Sequence, residues 1–259
     1  MISTILIGWA GLALGLAILW WRQLKTRNAT SVDVAWAAGI GLLSIYFAAA
    51  SDGAPARRWL VGALGALWAL RLAWHLLRDR VLRHGIEEDG RYKAMREHFG
   101  TRAQTFFFFF YQGQALVAVL FSLPILFAMQ GEGFDLWTAA GVAIWLAAVS
   151  GETIADRQLA AFRAEPANRG RTCRRGLWRY SRHPNYFFEW VHWFSYVLIA
   201  HGAWPTWIGP VLMLVFLFRL TGIPYTELQA LKSRGDDYRA YQRETSAFFP
   251  WFPRKESHA

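Results

Sequence analysis

The segment 182–189 carries residues whose types and spacing could do chemistry, because polar side chains there enter an apolar stretch. Proline suits the first turn of a helix, so the sequence predicts a helix that begins at Pro184. Four polar side chains then recur at i, i+4, i+7 and i+11, which puts them on one helix face. They are Asn185, Glu189, His192 and Tyr196. A polar stripe of this kind is typical of a site for a phosphorylated ligand at a membrane boundary.

The loop before this helix is rich in arginine. Between residues 163 and 182 it contains seven arginines and no lysine. Guanidinium groups bind phosphate in a bidentate manner and stack on adenine, whereas a lysine ammonium does neither. Anionic lipid headgroups are an alternative partner for such a loop. We favour a soluble nucleotide, because residues 176–180 lead directly into the polar stripe.

The elements that must position these residues are membrane helices. The chain of 259 residues is 54 % hydrophobic and 18 % charged, and its apolar runs approach the length that crosses a hydrocarbon core of about 30 Å. We predict an all-α, multi-pass integral membrane protein with one domain over residues 1–259. Seven transmembrane spans are predicted, at residues 2–21, 32–50, 59–77, 106–129, 136–150, 186–200 and 206–220.

The net charge of +10 is explained by where the cations lie. Alternate loops are rich and poor in lysine and arginine, which is the positive-inside pattern of membrane proteins. This pattern predicts an external N-terminus and a cytosolic C-terminus, with 25 of the 28 cations on the cytosolic side. Topology therefore accounts for the basicity, and no nucleic-acid partner is predicted.

Two ionisable residues lie within predicted spans. Asp33 is near the start of the second span, where an acid can be a helix cap, but Ser31 already fills that role. Ionisable groups in spans usually face a cavity or a partner, so a functional role for Asp33 stays equally open. Arg71 lies well inside the third span and needs an anion, which could be Asp33, Glu189 or a ligand phosphate.

Other motifs carry less functional information. Gly11 and Gly15 have the small-xxx-small spacing that lets helices approach closely. No glycine-rich turn joins a strand to a helix, so a Rossmann nucleotide site is not predicted. The mixed-charge segment 78–105 is typical of a solvated surface helix. Cys173 is the only cysteine, which excludes an internal disulfide and a cysteine-rich metal site, and no metal is predicted.

The sequence resembles the steroid 5α-reductase family (3-oxo-5α-steroid 4-dehydrogenase) in several runs spread over residues 31–253. The resemblance is closest to a bacterial branch catalogued as a domain of unknown function. Relatives on the same scaffold include sterol C14 and C7 reductases and isoprenylcysteine carboxyl methyltransferases. The runs are SVDVAW, EDGRYKAMR, ADRQLAAFRAEPANRG, GLWRYSRHPNYFFEW, GIPYTELQ and YRAYQRETSAFFPWFP.

The resemblance implies a seven-helix membrane reductase that uses NADPH, with the cofactor entering from the cytosol and a bacterial inner membrane as the location. The asparagine that binds the cofactor carboxamide in the family matches Asn185, and the family glutamate matches Glu189. The acid that holds the substrate ketone matches Asp33. The full predicted cofactor set is Arg71, Asp156, Arg163, Asn168, Arg171, Arg179, Tyr180, Arg182, His183, Asn185, Tyr186, Glu227 and Tyr238.

One position departs from the family pattern. Where steroid reductases have a tyrosine three residues before the third-span arginine, this chain has Trp68. An indole N–H can donate a hydrogen bond but cannot deliver a proton. We therefore take Asp33, Trp68 and Glu189 as the candidate catalytic residues. In this hypothesis, Asp33 is protonated in an apolar site and, with Trp68, faces the ketone of a 3-oxo-4-ene steroid or a similar hydrophobic enone.

Two other functions remain as alternatives. The first is a methyltransferase that uses S-adenosylmethionine, of the isoprenylcysteine carboxyl methyltransferase type. Those relatives usually have a small residue soon after RHPxY and paired glutamates after the last span. Here Phe188 and Glu189 follow the motif, and Thr226 precedes Glu227, so these features favour the reductase. The second alternative is a membrane protein without enzymatic activity that binds lipids through its arginines.

Overall fold

A computed structural model of the chain describes residues 1–82, 87–220 and 222–254, and within these ranges all regular structure is helical. The predicted all-α class is therefore confirmed for the described residues. Two of the helices continue into short π-helical turns, Leu77–Leu82 after α3 and Phe216–Leu220 after α8. The α-helices are α1 Ile2–Thr26, α2 Ser31–Ala50, α3 Pro55–Leu76, α4 Gly90–Phe99, α5 Ala103–Ala128, α6 Leu136–Ala164, α7 Pro184–Ile199, α8 Ile208–Val215, α9 Ile223–Arg234 and α10 Asp236–Glu244.

Six helical stretches of the described chain are long and apolar enough to cross a membrane. They are Ile2–Thr26, Ser31–Ala50, Pro55–Leu82, Gly90–Ala128, Leu136–Ala164 and Trp204–Arg234. These stretches are those of a multi-pass integral membrane protein. The predicted span 186–200 corresponds to α7, which has 16 residues. At about 1.5 Å per residue, α7 is shorter than a hydrocarbon core of about 30 Å.

The predicted helix at Pro184 is confirmed, and α7 begins at that residue. The fifth predicted span, residues 136–150, is shorter than the helix that contains it, because α6 continues to Ala164. Charged residues after position 150 end the apolar run, but they do not end the helix. The first proline after the start of α6 is Pro166, which lies just beyond the observed end of the helix.

The chain divides into two compact units. Unit 1 contains Met1–Asp135 with Ala203–Ile208, and unit 2 contains Leu136–Gly202 with Gly209–Ala259. Residues 83–86, 221 and 255–259 lie outside the described residues. The single membrane domain over residues 1–259 stays a prediction.

In unit 1, α2 and α3 form an antiparallel pair whose backbones approach closely at small residues. A Cβ at Gly62 would lie 2.7 Å from the Cβ of Ala48, and one at Gly65 would lie 2.6 Å from Ser44 Oγ. The predicted close approach at Gly11 and Gly15 is not found, since a Cβ at either position meets nothing within 4 Å in the described chain. The small-xxx-small spacing is therefore not sufficient to identify a helix contact.

In unit 2, α6 and α7 are paired in the same way. A Cβ at Gly141 would lie 2.5 Å from Ile199 Cγ1 and 2.7 Å from the carbonyl oxygen of Ser195. Ten residues along α6, a Cβ at Gly151 would lie 2.5 Å from the ring of Phe188. The two helices therefore run antiparallel, and the first turns of α7 lie beside the polar half of α6.

We predict that Gly62→Leu destabilises the protein by about 1–3 kcal/mol, because a side chain at this contact forces α2 and α3 apart. Gly11→Leu is the matched control, and we expect little change from it. Thermal unfolding of the two detergent-purified variants, followed by tryptophan fluorescence, measures the difference. An equal effect of the two substitutions would contradict the packing of α3 on α2.

Candidate functional site

The carboxylate of Glu227, on α9, collects donors from two other segments of unit 2, the loop before α7 and α10. Arg182 Nε donates to Glu227 Oε1 at 2.7 Å, and His183 Nε2 lies 3.2 Å from the same oxygen. Gln242 Nε2 donates to Oε2 at 2.8 Å. We call Arg182, His183, Glu227 and Gln242 the Glu227 cluster. It joins the arginine-rich loop to α9 and α10, and it contains three residues of the predicted cofactor set.

Backbone hydrogen bonds hold Arg182 in place. Its N–H donates to the carbonyl oxygen of Ser246 at 2.8 Å. Its Nη1 donates to the carbonyl oxygens of Gln242 and Thr245, at 3.0 and 2.8 Å. The neighbouring Ser181 Oγ donates to the carbonyl oxygen of Phe248 at 2.8 Å. The segment before α7 is therefore fixed along the C-terminal tail, and the side chain of Arg182 has one orientation.

His183 is buried and its ring stacks on Tyr186, with centroids 5.3 Å apart and an interplanar angle of 5°. A carboxylate only accepts hydrogen bonds, so we assign the hydrogen to the Nε2 that faces Glu227. Burial lowers the pKa of His183 below its usual value, and attraction to Glu227 only partly offsets this. The hydroxyls of Tyr186 and Thr226 lie 3.2 Å apart and connect α7 to α9.

Asn185 is held by hydrogen bonds on both sides of its amide. Its Nδ2 donates to Asp156 Oδ1 at 3.1 Å, and its Oδ1 accepts from the backbone N–H of Tyr186 at 3.0 Å. This hydrogen bond joins α7 to α6 and connects two residues of the predicted cofactor set. A fixed amide of this kind can present its second N–H to a ligand.

The polar stripe of α7 continues into the protein interior. Glu189, His192 and Tyr196 are all buried, and His192 Nε2 lies 3.1 Å from the hydroxyl of Tyr196. The helical spacing therefore predicted a common face correctly. Burial of a carboxyl, an imidazole and a phenol on one apolar helix is expensive, so this face requires polar surroundings.

The arginines of the loop fall into two groups. Arg174 pairs with Asp237 at 3.3 Å and Arg175 pairs with Glu165 at 3.4 Å. Four others are exposed and form no ion pair within the described residues. They are Arg163, Arg169, Arg171 and Arg179. Unpaired surface guanidiniums retain all their donors for an anionic ligand.

The remaining predicted cofactor residues of unit 2 have structural contacts. Asn168 Nδ2 donates to the carbonyl oxygen of Phe162 at 2.9 Å. Tyr180 packs edge-on against Phe252, with ring centroids 6.0 Å apart. Tyr238 is buried under Arg234, and burial raises its phenol pKa. Asn168 and Tyr180 therefore shape the loop, and Tyr238 packs within α10. In the described ranges, no group of three His, Cys, Asp or Glu side chains could hold a metal ion.

Asp33 is the centre of a second polar cluster, in unit 1. Its Oδ2 accepts from Arg80 Nη1 and, at 2.7 Å, from Arg91 Nη2. Its Oδ1 accepts from the hydroxyl of Tyr92 at 2.6 Å. We call Asp33, Arg80, Arg91 and Tyr92 the Asp33 cluster. Both carboxylate oxygens of Asp33 therefore already accept hydrogen bonds from neighbouring side chains of unit 1.

The segment that follows residue 87 is not a free surface helix. Asp89 N–H donates to Thr30 Oγ1 at 2.8 Å, and Glu88 Oε1 accepts from the N–H of Ala29 at 2.9 Å. The prediction that Ser31 caps α2 was wrong. Thr30 is the residue that precedes α2, and its side chain forms no cap hydrogen bond. The EDGRYKAMR run therefore binds the turn between α1 and α2, a role that mixed charge alone did not indicate.

Asp33 and Trp68 lie at different levels of the α2–α3 pair. A Cβ at Gly41 would lie 3.2 Å from the Cβ of Ala69, which puts the buried Trp68 near the level of Gly41. Asp33 lies eight residues earlier, about 12 Å along the helix axis. The structure does not bring the two predicted catalytic residues together. Arg71, one turn beyond Trp68 on α3, is partly buried.

We predict that Asp33→Asn destabilises the protein by about 1–3 kcal/mol, because two guanidiniums lose their counter-charge and the amide cannot accept from all three donors. Asp236→Asn is the matched control, since Asp236 is 93 % exposed in its pair with Arg239. Thermal unfolding monitored by circular dichroism compares the two variants. Similar melting temperatures would show that the Asp33 cluster adds no stability.

The lowered pKa of His183 predicts a pH dependence of stability. The folded protein binds fewer protons at this residue than the unfolded chain, so the contribution is complete above about pH 6.5 and declines as the pH falls below that value. His183→Gln keeps a donor for Glu227 and removes the titration. The stability advantage of the wild type should shrink between about pH 7.5 and 5. His98→Gln, at an exposed position of α4, is the control. The difference in stability between the wild type and this variant should not shrink over the same pH range.

Comparisons with known proteins give a family but no activity. The sequence profile of a family described as a protein of unknown function, DUF1295, matches residues 19–245. An uncharacterized protein from Schizosaccharomyces pombe is 26 % identical over 267 residues, covering 90 % of this chain and 76 % of the relative. No solved structure matches the chain. Since the profile covers most of the sequence, from α1 to the end of α10, this chain belongs to the DUF1295 family.

Proposed function

We propose that this protein is an NADPH-dependent membrane reductase of a conjugated enone, with 3-oxo-4-ene steroids as the substrate class. The observation that carries the proposal is the fixed amide of Asn185, held by Asp156 at 3.1 Å in the motif that resembles the steroid 5α-reductases. A preorganised amide is suited to the carboxamide of a nicotinamide, because it offers a donor without further ordering. The DUF1295 family carries no activity in its description, so the chemistry comes from the residues and the resemblance.

The charges around this amide fit the cofactor. NADPH has several phosphates, and the loop offers four exposed guanidiniums that form no ion pair in the part of the chain that the structure describes, including Arg163, Arg171 and Arg179. NADPH would supply the hydride that reduces the substrate. The Glu227 cluster would act by holding the loop in a single conformation. The aromatic face of Tyr186 is already stacked on His183 and hydrogen-bonded to Thr226, so it adds a rigid wall.

The proposed topology has seven spans, with the N-terminus outside and the arginine-rich loop in the cytosol. In this arrangement α7 is the short span, and its polar first turns lie at the cytosolic boundary. The distribution of lysine and arginine supports this orientation. A soluble cofactor would then reach Asn185 from the cytosol, while a hydrophobic substrate would arrive through the membrane.

At the substrate end, reduction of the C4=C5 bond adds a hydride to the β-carbon and a proton to the α-carbon. The negative charge that develops on the ketone oxygen needs a hydrogen-bond donor. Trp68, which is buried on α3, stays a candidate residue at the substrate end. Asp33 then has a different role, which is to hold Arg80 and Arg91 in the Asp33 cluster. Glu189 is a further candidate on the buried face of α7.

The experiment that tests this function is a calorimetric titration of the detergent-purified protein with NADPH and, separately, with S-adenosylmethionine. We expect binding of NADPH and its oxidation in the presence of a 4-ene-3-ketosteroid, followed by absorbance. Asn185→Leu should weaken NADPH binding at least tenfold, because it removes a fixed hydrogen-bond donor of the site.

Arg239→Gln and Asp236→Asn serve as controls for this titration. Both residues belong to an exposed i, i+3 pair on α10, and we expect no change in NADPH affinity. Binding of S-adenosylmethionine alone would replace the reductase by a methyltransferase. Binding of neither ligand, with the fold intact by circular dichroism, would favour the lipid-binding alternative.

A further inference from the structure

The C-terminal tail of unit 2, residues 245–254, carries three large apolar rings that the protein leaves open. Phe249, Trp251 and Phe252 are 58, 71 and 75 % exposed, and only a proline separates the first from the other two. Exposed apolar side chains that are grouped in this way mark a surface that binds a partner or a membrane. The proposed reductase makes no use of these rings.

Backbone hydrogen bonds fix the tail along the loop before α7. The N–H of Arg182 donates to the carbonyl oxygen of Ser246 at 2.8 Å. Further along, the N–H of Trp251 donates to the carbonyl oxygen of Tyr180 at 2.9 Å. The two bonds join both ends of the tail to the same short segment. The aromatic rings are therefore presented from a backbone with a defined position.

The tail is not helical, yet most of its last N–H donors are accounted for. Pro250 and Pro253 have no N–H, and the N–H of Arg254 donates to the carbonyl oxygen of Glu244 at 2.9 Å. With the bond from Trp251, two prolines and two bonded residues leave a single open donor among the last five described residues. Unpaired donors are what make non-helical backbone costly near a hydrocarbon core. This backbone is therefore suited to the boundary of a membrane.

The tail also continues an exposed apolar face of the last membrane-length stretch, Trp204–Arg234. Val211, Val215 and Phe218 follow one another at about one-turn intervals, and all three are exposed. The ring of Phe218 packs edge-on against that of Phe248 in the tail, with centroids 5.2 Å apart. An exposed apolar face on a membrane-length helix contacts lipid in an integral membrane protein. The open rings of the tail thus lie next to a surface that already faces lipid.

We propose that the C-terminal tail is an interfacial membrane anchor, with the rings of Phe249, Trp251 and Phe252 at the level of the lipid headgroups. Aromatic side chains are enriched at that level, and an indole suits it because it has an apolar body and one N–H. The partner is the bilayer that holds the helices, whatever the charge of its lipids. Since the tail is bonded to the loop before α7, the anchor also sets the distance of that loop from the membrane surface. The proposal does not depend on the reductase activity.

The test attaches an environment-sensitive fluorophore to residue 251 of the full-length protein in a phosphatidylcholine nanodisc that holds one protomer. Trp251→Cys keeps the backbone N–H, and Cys173→Ser removes the natural thiol, which is buried. We expect a nitroxide near the lipid headgroup to quench the label about twofold more than a nitroxide near the chain end. We also expect protection from iodide in the water. Phosphatidylcholine has no net charge, so attraction of arginines to anionic lipids cannot produce this result.

Arg169→Cys, labelled in the same background, is the matched control because Arg169 is exposed in the arginine-rich loop. Iodide should quench this label freely, and neither lipid nitroxide should quench it. Equal access of iodide to the two labels would overturn the proposal. Protection of residue 251 only in nanodiscs with two protomers would assign the rings to a second copy of the chain instead. Phe252→Cys should reproduce the order found at residue 251, and a label there that iodide quenches freely would also contradict the anchor.

Discussion

The hydrogen bonding of the Glu227 carboxylate is the constraint on which unit 2 depends. An ionised carboxylate can only accept, and a half-buried one without donors would be costly. Arg182 and His183 reach it from the loop before α7, more than 40 residues earlier in the sequence, and Gln242 reaches it from α10. The loop before α7 therefore cannot move independently of α9 and α10. Because α7 begins directly after His183, the position of Asn185 is fixed by the same interaction.

In unit 1, the carboxylate of Asp33 likewise accepts hydrogen bonds from several segments. A carboxylate with 14 % of its side chain exposed gathers guanidiniums from the π-helical turn after α3 and from α4, together with a phenol. Such a cluster is a strong positional constraint, since either guanidinium would lose its counter-charge on moving. The charged residues within the predicted loop therefore determine where the ends of α2 and α3 meet α4.

The parts of the fold that follow from periodicity were predictable, and the parts that follow from long-range contacts were not. Apolar runs near 20 residues gave the helices, because a helix in a bilayer has to satisfy its own backbone. The spacing of Glu189, His192 and Tyr196 likewise predicted their common buried face. No local pattern tells that Asp33 meets Arg91, or that Arg182 meets Glu227, since these pairs are 58 and 45 residues apart in the sequence. At Gly11 and Gly15 the local motif is present but the contact is not. A Cβ at either position meets nothing within 4 Å in the described chain, although the spacing predicts a close helix contact.

The separation of Asp33 from Trp68 changes the chemistry expected of a reductase built on this scaffold. An indole N–H stabilises an enolate oxygen through one neutral hydrogen bond, and it has no proton to release. The proton that reaches the α-carbon must then come from water or from another side chain. A site with one neutral donor stabilises charge less than a site with an acidic donor. In the proposed reductase, such a site would favour substrates that form the more stable enolates.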